Sequence, residues 1–311
     1  MTQPPNPSPA APSRFSLLSA PVQAAFFMLL AALLFSGVAG GVRWVTQHEM
    51  HAFQAAFLRS GFGLCFMLPI ILRYGGEALR FKRPGLHLVR GLSSASGTIM
   101  WFWAVALLPI AEAVALNFTA PLFATILAVI VLHEVVRARR WTATIVGFIG
   151  VIIVMRPGVE SISPGALLAI GSAATIGLNM TLVRILARTD STPAIVTSFS
   201  FFLTVGTLIP ALFVWTTPSW ENLAVMLLAG LCGTCAHLCF TRALALGDAS
   251  AVAPLDFLRL PFAGLVGYFI FAEVPDGWTI VGALVIAGSA AYIARREAVA
   301  AKRKKAAEAA A

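Results

Sequence analysis

The chain has 311 residues, and 59% of them are hydrophobic while only 11% are charged. Soluble domains average about 25% charged residues, so this composition excludes an ordinary soluble domain and indicates a polytopic membrane protein. The net charge of +9 does not indicate a nucleic-acid partner, because the basic residues cluster in short segments between apolar runs.

The predicted elements begin with a short lead and continue as apolar runs. Residues 1–21 contain six prolines and are predicted to be disordered. Ten runs follow, and eight of them are about long enough to cross a bilayer as a helix, while the fifth and the tenth are short for a full span. The ten runs cover residues 22–42, 52–72, 88–108, 113–132, 141–155, 164–183, 194–215, 222–241, 251–272 and 278–294. The final segment, 295–311, is basic and is expected to lie against anionic lipid headgroups.

The distribution of basic residues predicts the orientation of these helices. With the N-terminus in the cytoplasm, 18 of the 22 lysines and arginines fall in cytoplasmic segments, and only Arg43 and Arg156 fall on the other side. Cytoplasmic loops of membrane proteins carry such an excess of lysine and arginine. Both termini are therefore predicted to be cytoplasmic, and Arg59 and Arg259 are left within predicted spans.

The second half of the sequence repeats the first at a constant spacing. We call this spacing the repeat offset, and it equals the number of residues from Gly91 to Gly230. The segments that begin at these two glycines match at five of twenty positions, and the repeat offset also places Glu134 on Glu273. Ten helices form two sets of five, and because five is odd, the second set enters the membrane from the opposite side. The expected fold is therefore an all-α membrane protein, with ten transmembrane helices in two inverted five-helix repeats.

The duplicated pattern also carries a family resemblance. Each half has an Ala-rich third helix, a helix with a central proline and a terminal glutamate, and a glycine-bearing last helix. The two copies read "ALLPIAEAVALNFTAPLFATILAVIVLHE…WTATIVGFIGVIIVMRP" and "ALALGDASAVAPLDFLRLPFAGLVGYFIFAE…WTIVGALVIAGSAAYIARR". This pattern resembles the drug/metabolite transporter superfamily with paired EamA-type domains. The domains are then the lead 1–21, a first repeat 22–156, a second repeat 164–294 and the tail 295–311.

The resemblance implies a carrier that works by alternating access, with a central cavity between its two halves. Members of the superfamily move amino acids, nucleosides, S-adenosylmethionine, flavins, sugars or drugs. A small-molecule substrate is therefore expected, and a bacterial protein of this kind would lie in the inner membrane. The shared motifs mark the scaffold, so binding residues must be sought among the polar groups within the spans.

Three charged residues lie deep within predicted spans, where each costs about 2.5–3.5 kcal/mol on insertion scales. Arg59 either binds a substrate carboxylate or phosphate, or binds helix-end carbonyls and extends toward the membrane surface. Asp256 and Arg259 are spaced i, i+3 and can pair on one helix face. That pair either ties helices together or makes Asp256 a group that exchanges a proton when substrate binds.

Three uncharged side chains complete the candidate site. Asn117 precedes Asp256 by the repeat offset and can both donate and accept hydrogen bonds. His237 titrates near neutral pH, so it either handles protons or bridges two helices as a neutral imidazole. Trp101 lies too deep for an interfacial aromatic belt and can stack on a flat or cationic solute.

These residues favour a secondary transporter for a small metabolite. Two arginines and one aspartate leave a positive excess, which suits an amino-acid-like zwitterion or anion, with proton coupling left open. A flavin or nucleoside carrier and a multidrug cation exporter are the alternatives, and a membrane-embedded enzyme or a passive channel belongs to a different class.

A membrane-embedded enzyme is disfavoured because "HEVVR" at His133 lacks the second histidine of HExxH, and an ATP-driven pump is excluded because no nucleotide-binding loop occurs. The spacing of Cys232, Cys235 and Cys239 places them on one helix face, where packing is a more common role than metal binding. No cofactor or metal is expected. The coupling ion, the direction of transport and the oligomeric state are not predicted.

Overall fold

A computed structural model describes residues 20–132, 138–156, 163–246 and 252–310, and these residues form helices and turns without a strand. The α-helices are α1 (Ala20–Gln47), α2 (Ala52–Tyr74), α3 (Pro84–Leu107), α4 (Ile110–Asn117), α5 (Ala120–Leu132), α6 (Ala138–Met155), α7 (Pro164–Leu186), α8 (Thr192–Phe213), α9 (Trp220–Leu246), α10 (Arg259–Phe271) and α11 (Gly277–Ala310). Two 3₁₀ segments, Gly75–Leu79 and Ala253–Leu258, follow α2 and precede α10. Residues 1–19 of the predicted lead and Glu134 lie outside the described residues.

Several helices begin at side chains that satisfy the first free backbone N–H groups. Ser163 accepts a hydrogen bond from the N–H of Gly165 before α7, and Ser191 accepts one from Ala194 before α8. A proline stands in the first turn of both helices, where its missing N–H costs nothing. Serine is a favoured N-cap because its short side chain reaches these donors. The local sequence therefore defines where α7 and α8 begin.

The described helices follow the ten predicted runs when two pairs of elements are each counted as one broken helix. The pairs are α4 with α5, and the second 3₁₀ segment with α10. Among the described residues, six helical stretches are long and apolar enough to cross a membrane, and bent α2 with its 3₁₀ extension makes a seventh. The six stretches begin at Ala20, Ile110, Pro164, Thr192, Trp220 and Gly277, and the seventh is α2. That α3, α6 and the α10 segment also span remains a prediction, as does the cytoplasmic location of both termini.

Two of the predicted runs contain breaks in their first halves. The run 113–132 is interrupted between α4 and α5, and 251–272 contains a 3₁₀ segment before α10. Pro121 and Pro261 follow the two breaks, and proline has no N–H for the helix and clashes with the preceding turn. The hydroxyl of Thr119 donates to the carbonyl of Leu116 at 2.7 Å, which satisfies an acceptor that the first break exposes.

Contacts between helices recur at the repeat offset. A Cβ at Gly230 of α9 would lie 2.7 Å from the Cβ of Phe62 and 3.2 Å from the backbone nitrogen of Gly63 on α2. A Cβ at Gly91 of α3 would collide with Phe202 of α8. The repeat offset relates Gly91 to Gly230, and it also relates Gly63 to Phe202. The two halves therefore make equivalent close contacts through equivalent residues.

The breaks meet where the two halves pack together. The rings of Phe118 and Phe257, which the repeat offset also relates, have centroids 4.7 Å from each other. Likewise α1 packs along α9, and its counterpart α7 packs along α3. The two broken helices thus lie at the centre of the molecule, on the axis that relates its halves. Discontinuous helices in this position are a recurring feature of secondary transporters.

Candidate functional site

A cavity of about 820 Å³ lies between α2, α3, α8 and α9. Its rim carries Tyr74, Glu77 and Arg242, which are exposed and lie on the side predicted to be cytoplasmic. Arg59 and His237 line it farther from that rim. Along α2, Arg59 and Tyr74 are separated by roughly 22 Å at 1.5 Å per residue. The cavity is therefore a deep vestibule that leads from one surface toward the middle of the helices.

Arg59 lines the cavity, and no residue in the described part of the chain pairs with it. Its Nε is buried and has no hydrogen-bond partner, and no described residue forms an ion pair with its guanidinium. Gly233 of α9 makes room for this guanidinium, since a Cβ there would collide with it. A buried charge that lacks a partner is costly. The arrangement leaves a planar set of donors available for an anionic ligand, which arginine binds well.

His237 lies one helical turn beyond Gly233 on α9, and its side chain is exposed to the cavity. Its ring meets Phe35 of α1 edge-on, with centroids 5.0 Å apart. The guanidinium carbon of Arg259 lies 4.3 Å from the centroid of the same phenyl ring. The structure therefore places His237 one turn from the glycine that Arg59 contacts, and on the same phenyl ring as Arg259.

Hydroxyl groups form much of the remaining polar wall. Ser60, next to Arg59, is 5% exposed, and its Oγ has no hydrogen-bond partner among the described residues. Thr197 and Ser200 of α8 and Thr234 of α9 also line the cavity. Sequence reasoning missed this wall, although the i, i+3 spacing of Thr197 and Ser200 is a signal for a shared helix face. The wall supplies both donors and acceptors.

The sequence counted Arg90 among the basic residues of a cytoplasmic segment, and the structure places it in α3, in the wall of the cavity. Its guanidinium donates to the carbonyl of Ile195 at 2.8 Å and stacks over Phe199 at 4.7 Å. Arg90 thus differs from Arg59, since protein groups already hold it in place. It adds positive charge to the cavity while it fixes α3 against α8.

The other four candidate residues do not line this cavity. Arg259 donates to Asp256 at 2.7 Å, where the 3₁₀ segment joins α10. Asn117 donates to the hydroxyl of Ser172 at 3.4 Å, at the end of α4. Trp101 packs against the buried apolar core. The structure therefore brings Arg59 and His237 into the same cavity lining. It leaves the Asp256–Arg259 pair outside that lining, with Arg259 over the Phe35 ring.

The end of the molecule opposite the rim is held by ion pairs. Arg43 of α1 lies 3.1 Å from Glu273, and it also donates to the carbonyl of Ala106 at 2.5 Å. Glu273 accepts a second contact from the N–H of Ile110, the first residue of α4, at 2.9 Å. The sequence showed Glu273 at a helix end but gave no sign that Arg43 would be its partner.

A second ion pair lies at the same end. Arg156 after α6 pairs with Asp276 before α11. Arg43 and Arg156 are the two basic residues that the sequence placed on the outer side, and both bind carboxylates of the turn between α10 and α11. The hydrogen bonds from Thr279, with help from nearby Arg156, hold the pKa of Asp276 below its ordinary value.

At the rim end, a buried histidine network joins α3 to the turn between α7 and α8. His87 Nδ1 lies 2.6 Å from the Ser198 hydroxyl, and its Nε2 lies 3.2 Å from Asp190 Oδ1. The backbone N–H of Lys82 donates to Asp190 at 2.7 Å, and the Thr189 hydroxyl donates to its other oxygen. Burial raises the pKa of Asp190, but these hydrogen bonds outweigh it and hold the pKa below its ordinary value.

Comparison with known proteins agrees with this architecture. The model of the EamA-like transporter family matches residues 22–156 and again residues 163–295. A riboflavin transporter of Vibrio cholerae is 32% identical over 289 residues, which cover 92% of this chain and 97% of that protein. An S-adenosylmethionine uptake transporter of Rickettsia prowazekii is 32% identical over 249 residues, or 79% of this chain and 83% of that protein.

More distant similarities point the same way. A pseudopaline exporter of Pseudomonas aeruginosa is 27% identical over 76% of this chain and 83% of its own length. A solved crystal structure with 20% sequence identity has a TM-score of 0.60 and covers 88% of this chain and 98% of its own, which shows the fold alone. The relatives move small metabolites, and the described apolar helices make this chain a multi-pass integral membrane protein. The chain belongs to the EamA-like transporter family and is a transporter of a small metabolite.

Proposed function

We propose that this transporter carries a metabolite with an amino-acid-like head group, whose carboxylate binds Arg59 deep in the cavity. The observation that carries the proposal is the guanidinium of Arg59, whose Nε is buried and which pairs with no described residue. Charge-assisted hydrogen bonds from arginine to a carboxylate are short and often bidentate. An anionic group at this position would supply the partner that the guanidinium lacks among the described residues.

The charge of the cavity supports an anionic group. Its lining includes the guanidiniums of Arg59, Arg90 and Arg242 and one carboxylate, Glu77, at the rim. The ammonium of a zwitterion has the hydroxyl oxygens of Ser60 and neighbouring residues as acceptors. A lipophilic cation finds no carboxylate near Arg59 among the described lining residues. A multidrug cation exporter is therefore the least supported of the alternatives.

Among the substrates named for the relatives, S-adenosylmethionine fits this proposal first, since its amino-acid head group carries both a carboxylate and an ammonium group. Its sulfonium adds one positive charge, which S-adenosylhomocysteine lacks. Riboflavin is the second candidate, because a riboflavin transporter matches 92% of the chain and the hydroxyl-rich wall suits a ribityl chain. Riboflavin has no anionic group, so it would use Arg59 only as a hydrogen-bond donor to a neutral acceptor. The two candidates therefore differ in how strongly their binding depends on Arg59.

Matched ligands test the proposal on the purified protein. S-adenosylmethionine and S-adenosylhomocysteine contain the amino-acid head group, whereas 5′-methylthioadenosine lacks it. We expect the first two to bind more tightly than the third, and Arg59→Gln to weaken them by about tenfold or more, since hydrogen bonds to charged groups contribute about 1.5–3 kcal/mol. Arg188→Gln is the matched control, because Arg188 is exposed after α7.

The outcomes separate the candidates. Equal affinities for the three adenosine compounds, unchanged by Arg59→Gln, overturn the carboxylate site. If only riboflavin binds, and with the same affinity to the wild type and to Arg59→Gln, the second candidate is assigned instead. Arg59→Lys keeps the charge but not the bidentate donors, so partial recovery of affinity supports direct contact with the carboxylate.

We also propose that the two halves, residues 22–156 and 164–294, move against each other. This motion opens the cavity first to one side of the membrane and then to the other. In the orientation predicted from lysine and arginine, the rim at Tyr74 and Arg242 faces the cytoplasm. The Arg43–Glu273 pair then closes the outer side. This arrangement corresponds to an inward-open state of an alternating-access cycle.

A further inference from the structure

We propose that His237 is the proton site of this carrier, and that it takes up one proton when an anionic group binds Arg59. The proposal rests on the substrate-binding role of Arg59 and adds a coupling ion to it. The proton comes from the aqueous side to which the cavity is open, and it leaves with the substrate on the other side. No covalent bond within the substrate changes in this step.

The geometry around His237 supports this assignment. Arg59 lies against Gly233, one helical turn from His237 on α9. Arg259 lies over Phe35, and the same ring meets the imidazole edge-on. No described residue forms a hydrogen bond with the nitrogens of the His237 ring, which faces the cavity. The imidazole is therefore near two cations, open to the solvent path and free to accept a proton.

The charged groups on every element around His237 can be named. α2 contributes Arg59, α3 contributes Arg90 and α9 itself contributes Arg242. α10 contributes Arg259, which Asp256 of the adjoining 3₁₀ segment neutralises at 2.7 Å. The lining residues of α8 and the contact from α1 carry no charge. Glu77 is at the distant rim, so the field at His237 is positive in the empty carrier.

This field makes binding of the anion and the proton cooperative. In the empty carrier, the nearby guanidiniums oppose a further positive charge on the imidazole. A carboxylate on Arg59 offsets that positive charge, and an imidazolium can then donate a charge-assisted hydrogen bond to it. Linkage requires the reverse as well, so protonation of His237 raises the affinity for the anion. Histidine is suited to this role because its charge changes near physiological pH.

Asp256 is the other titratable group that the sequence offered for coupling. Its carboxylate is already bound by Arg259, neither residue lines the cavity, and the guanidinium of Arg259 lies over the Phe35 ring. Neutralisation by Asp256 keeps Arg259 from adding a second full positive charge beside His237. We therefore assign Asp256 a positioning role, in which it holds Arg259 against the phenyl ring, and assign proton exchange to His237.

The test is a calorimetric titration of the purified full chain with S-adenosylhomocysteine, whose carboxylate does not titrate between pH 5.5 and 7.5. Titrations at one pH in buffers of different ionisation enthalpy give the number of protons taken up on binding. We expect a measurable fraction of one proton for the wild type, and an affinity that rises several-fold from pH 7.5 to pH 5.5. His237→Gln should still bind, with no proton uptake and little dependence on pH.

The controls distinguish the two proposals. His48→Gln, an exposed histidine at the opposite end, should behave like the wild type. Failure of the wild type to bind, or binding that Arg59→Gln leaves intact, overturns the proposed function. Binding that depends on Arg59 but takes up no proton overturns the coupling alone. Proton uptake that persists in His237→Gln also overturns it, because the proton then binds elsewhere. The proton count of the wild type is informative even if the variant does not fold.

Discussion

At the scale of single residues, the position of the Arg59 guanidinium depends on the absence of a side chain opposite it. Gly233 of α9 leaves the space that this guanidinium occupies, and a methyl group there would overlap its nitrogen atoms. The arginine side chain is flexible, so it would move rather than force the helices apart. Gly233 is therefore expected to control affinity more than stability.

Gly233→Ala tests this expectation. We predict that the variant binds S-adenosylhomocysteine about three- to tenfold more weakly, because its Arg59 can no longer reach the same position. Its melting temperature should stay close to that of the wild type. Gly264→Ala is the control, since a Cβ at that position of α10 meets no atom within 4 Å. Unchanged affinity in Gly233→Ala would contradict the account of this contact.

A second residue-scale prediction concerns Asp190. Its folded-state pKa is lowered, so it contributes stability above its unfolded pKa of about 3.9, and that stability is lost as pH falls through the folded pKa. We predict that Asp190→Asn loses about 1–3 kcal/mol at pH 7, since it weakens the hydrogen bonds with His87 and Lys82. The difference from the wild type should shrink below about pH 4.

Unfolding in detergent at pH 7 and at pH 3 measures this effect. Glu221→Gln removes an exposed carboxylate in the first turn of α9 and should change stability little. An Asp190→Asn protein as stable as the wild type at pH 7 would show that the buried network does not hold α3 to the α7–α8 turn.

At the scale of elements, the turn between α10 and α11 closes the end of the molecule opposite the cavity rim. Its Glu273 binds Arg43 and the first N–H of α4, and its Asp276 binds Arg156 and the N–H of Thr279. One turn therefore joins helices from both halves. Any motion that opens this end has to break these contacts.

Glu273→Gln should ease that opening, because it removes the charge that holds Arg43. The measurement uses Ser200→Cys in the cavity wall, in a protein whose four native cysteines are replaced by serine. We predict that the new thiol reacts several-fold faster with an impermeant reagent added from outside when Glu273→Gln is also present. Glu49→Gln at the same end is the control for charge. A rate that is unchanged or lower would mean that the Arg43–Glu273 pair does not limit opening.

The sequence predicted the elements well, because each helix has to present an apolar run of about bilayer thickness. It did not predict the breaks, although Pro121 and Pro261 were visible signals. The pairing of Arg43 with Glu273 could not be predicted, since it joins residues near opposite ends of the sequence through packing alone. Arg59 and His237 were identified as candidates, but their proximity depends on the close contact of α2 with α9 at Gly230.

At the scale of the whole molecule, the halves are alike where they pack and different where they face the cavity. Gly91 and Gly230 occupy equivalent contacts, as do Phe118 and Phe257. At the same repeat offset, however, Arg59 corresponds to Ser198 and His237 to Thr98. The repeat therefore supplies a scaffold that can move symmetrically, while the groups assigned to substrate and proton occur once.

The central claim is that Arg59 binds an anionic group of the substrate, and a structure with S-adenosylhomocysteine bound in the purified protein tests it most directly. We predict that the ligand lies in the cavity, with a carboxylate oxygen about 2.7–2.9 Å from a guanidinium nitrogen of Arg59. A ligand whose carboxylate points toward the rim, or one bound outside the cavity while Arg59 remains without a partner, would contradict the claim.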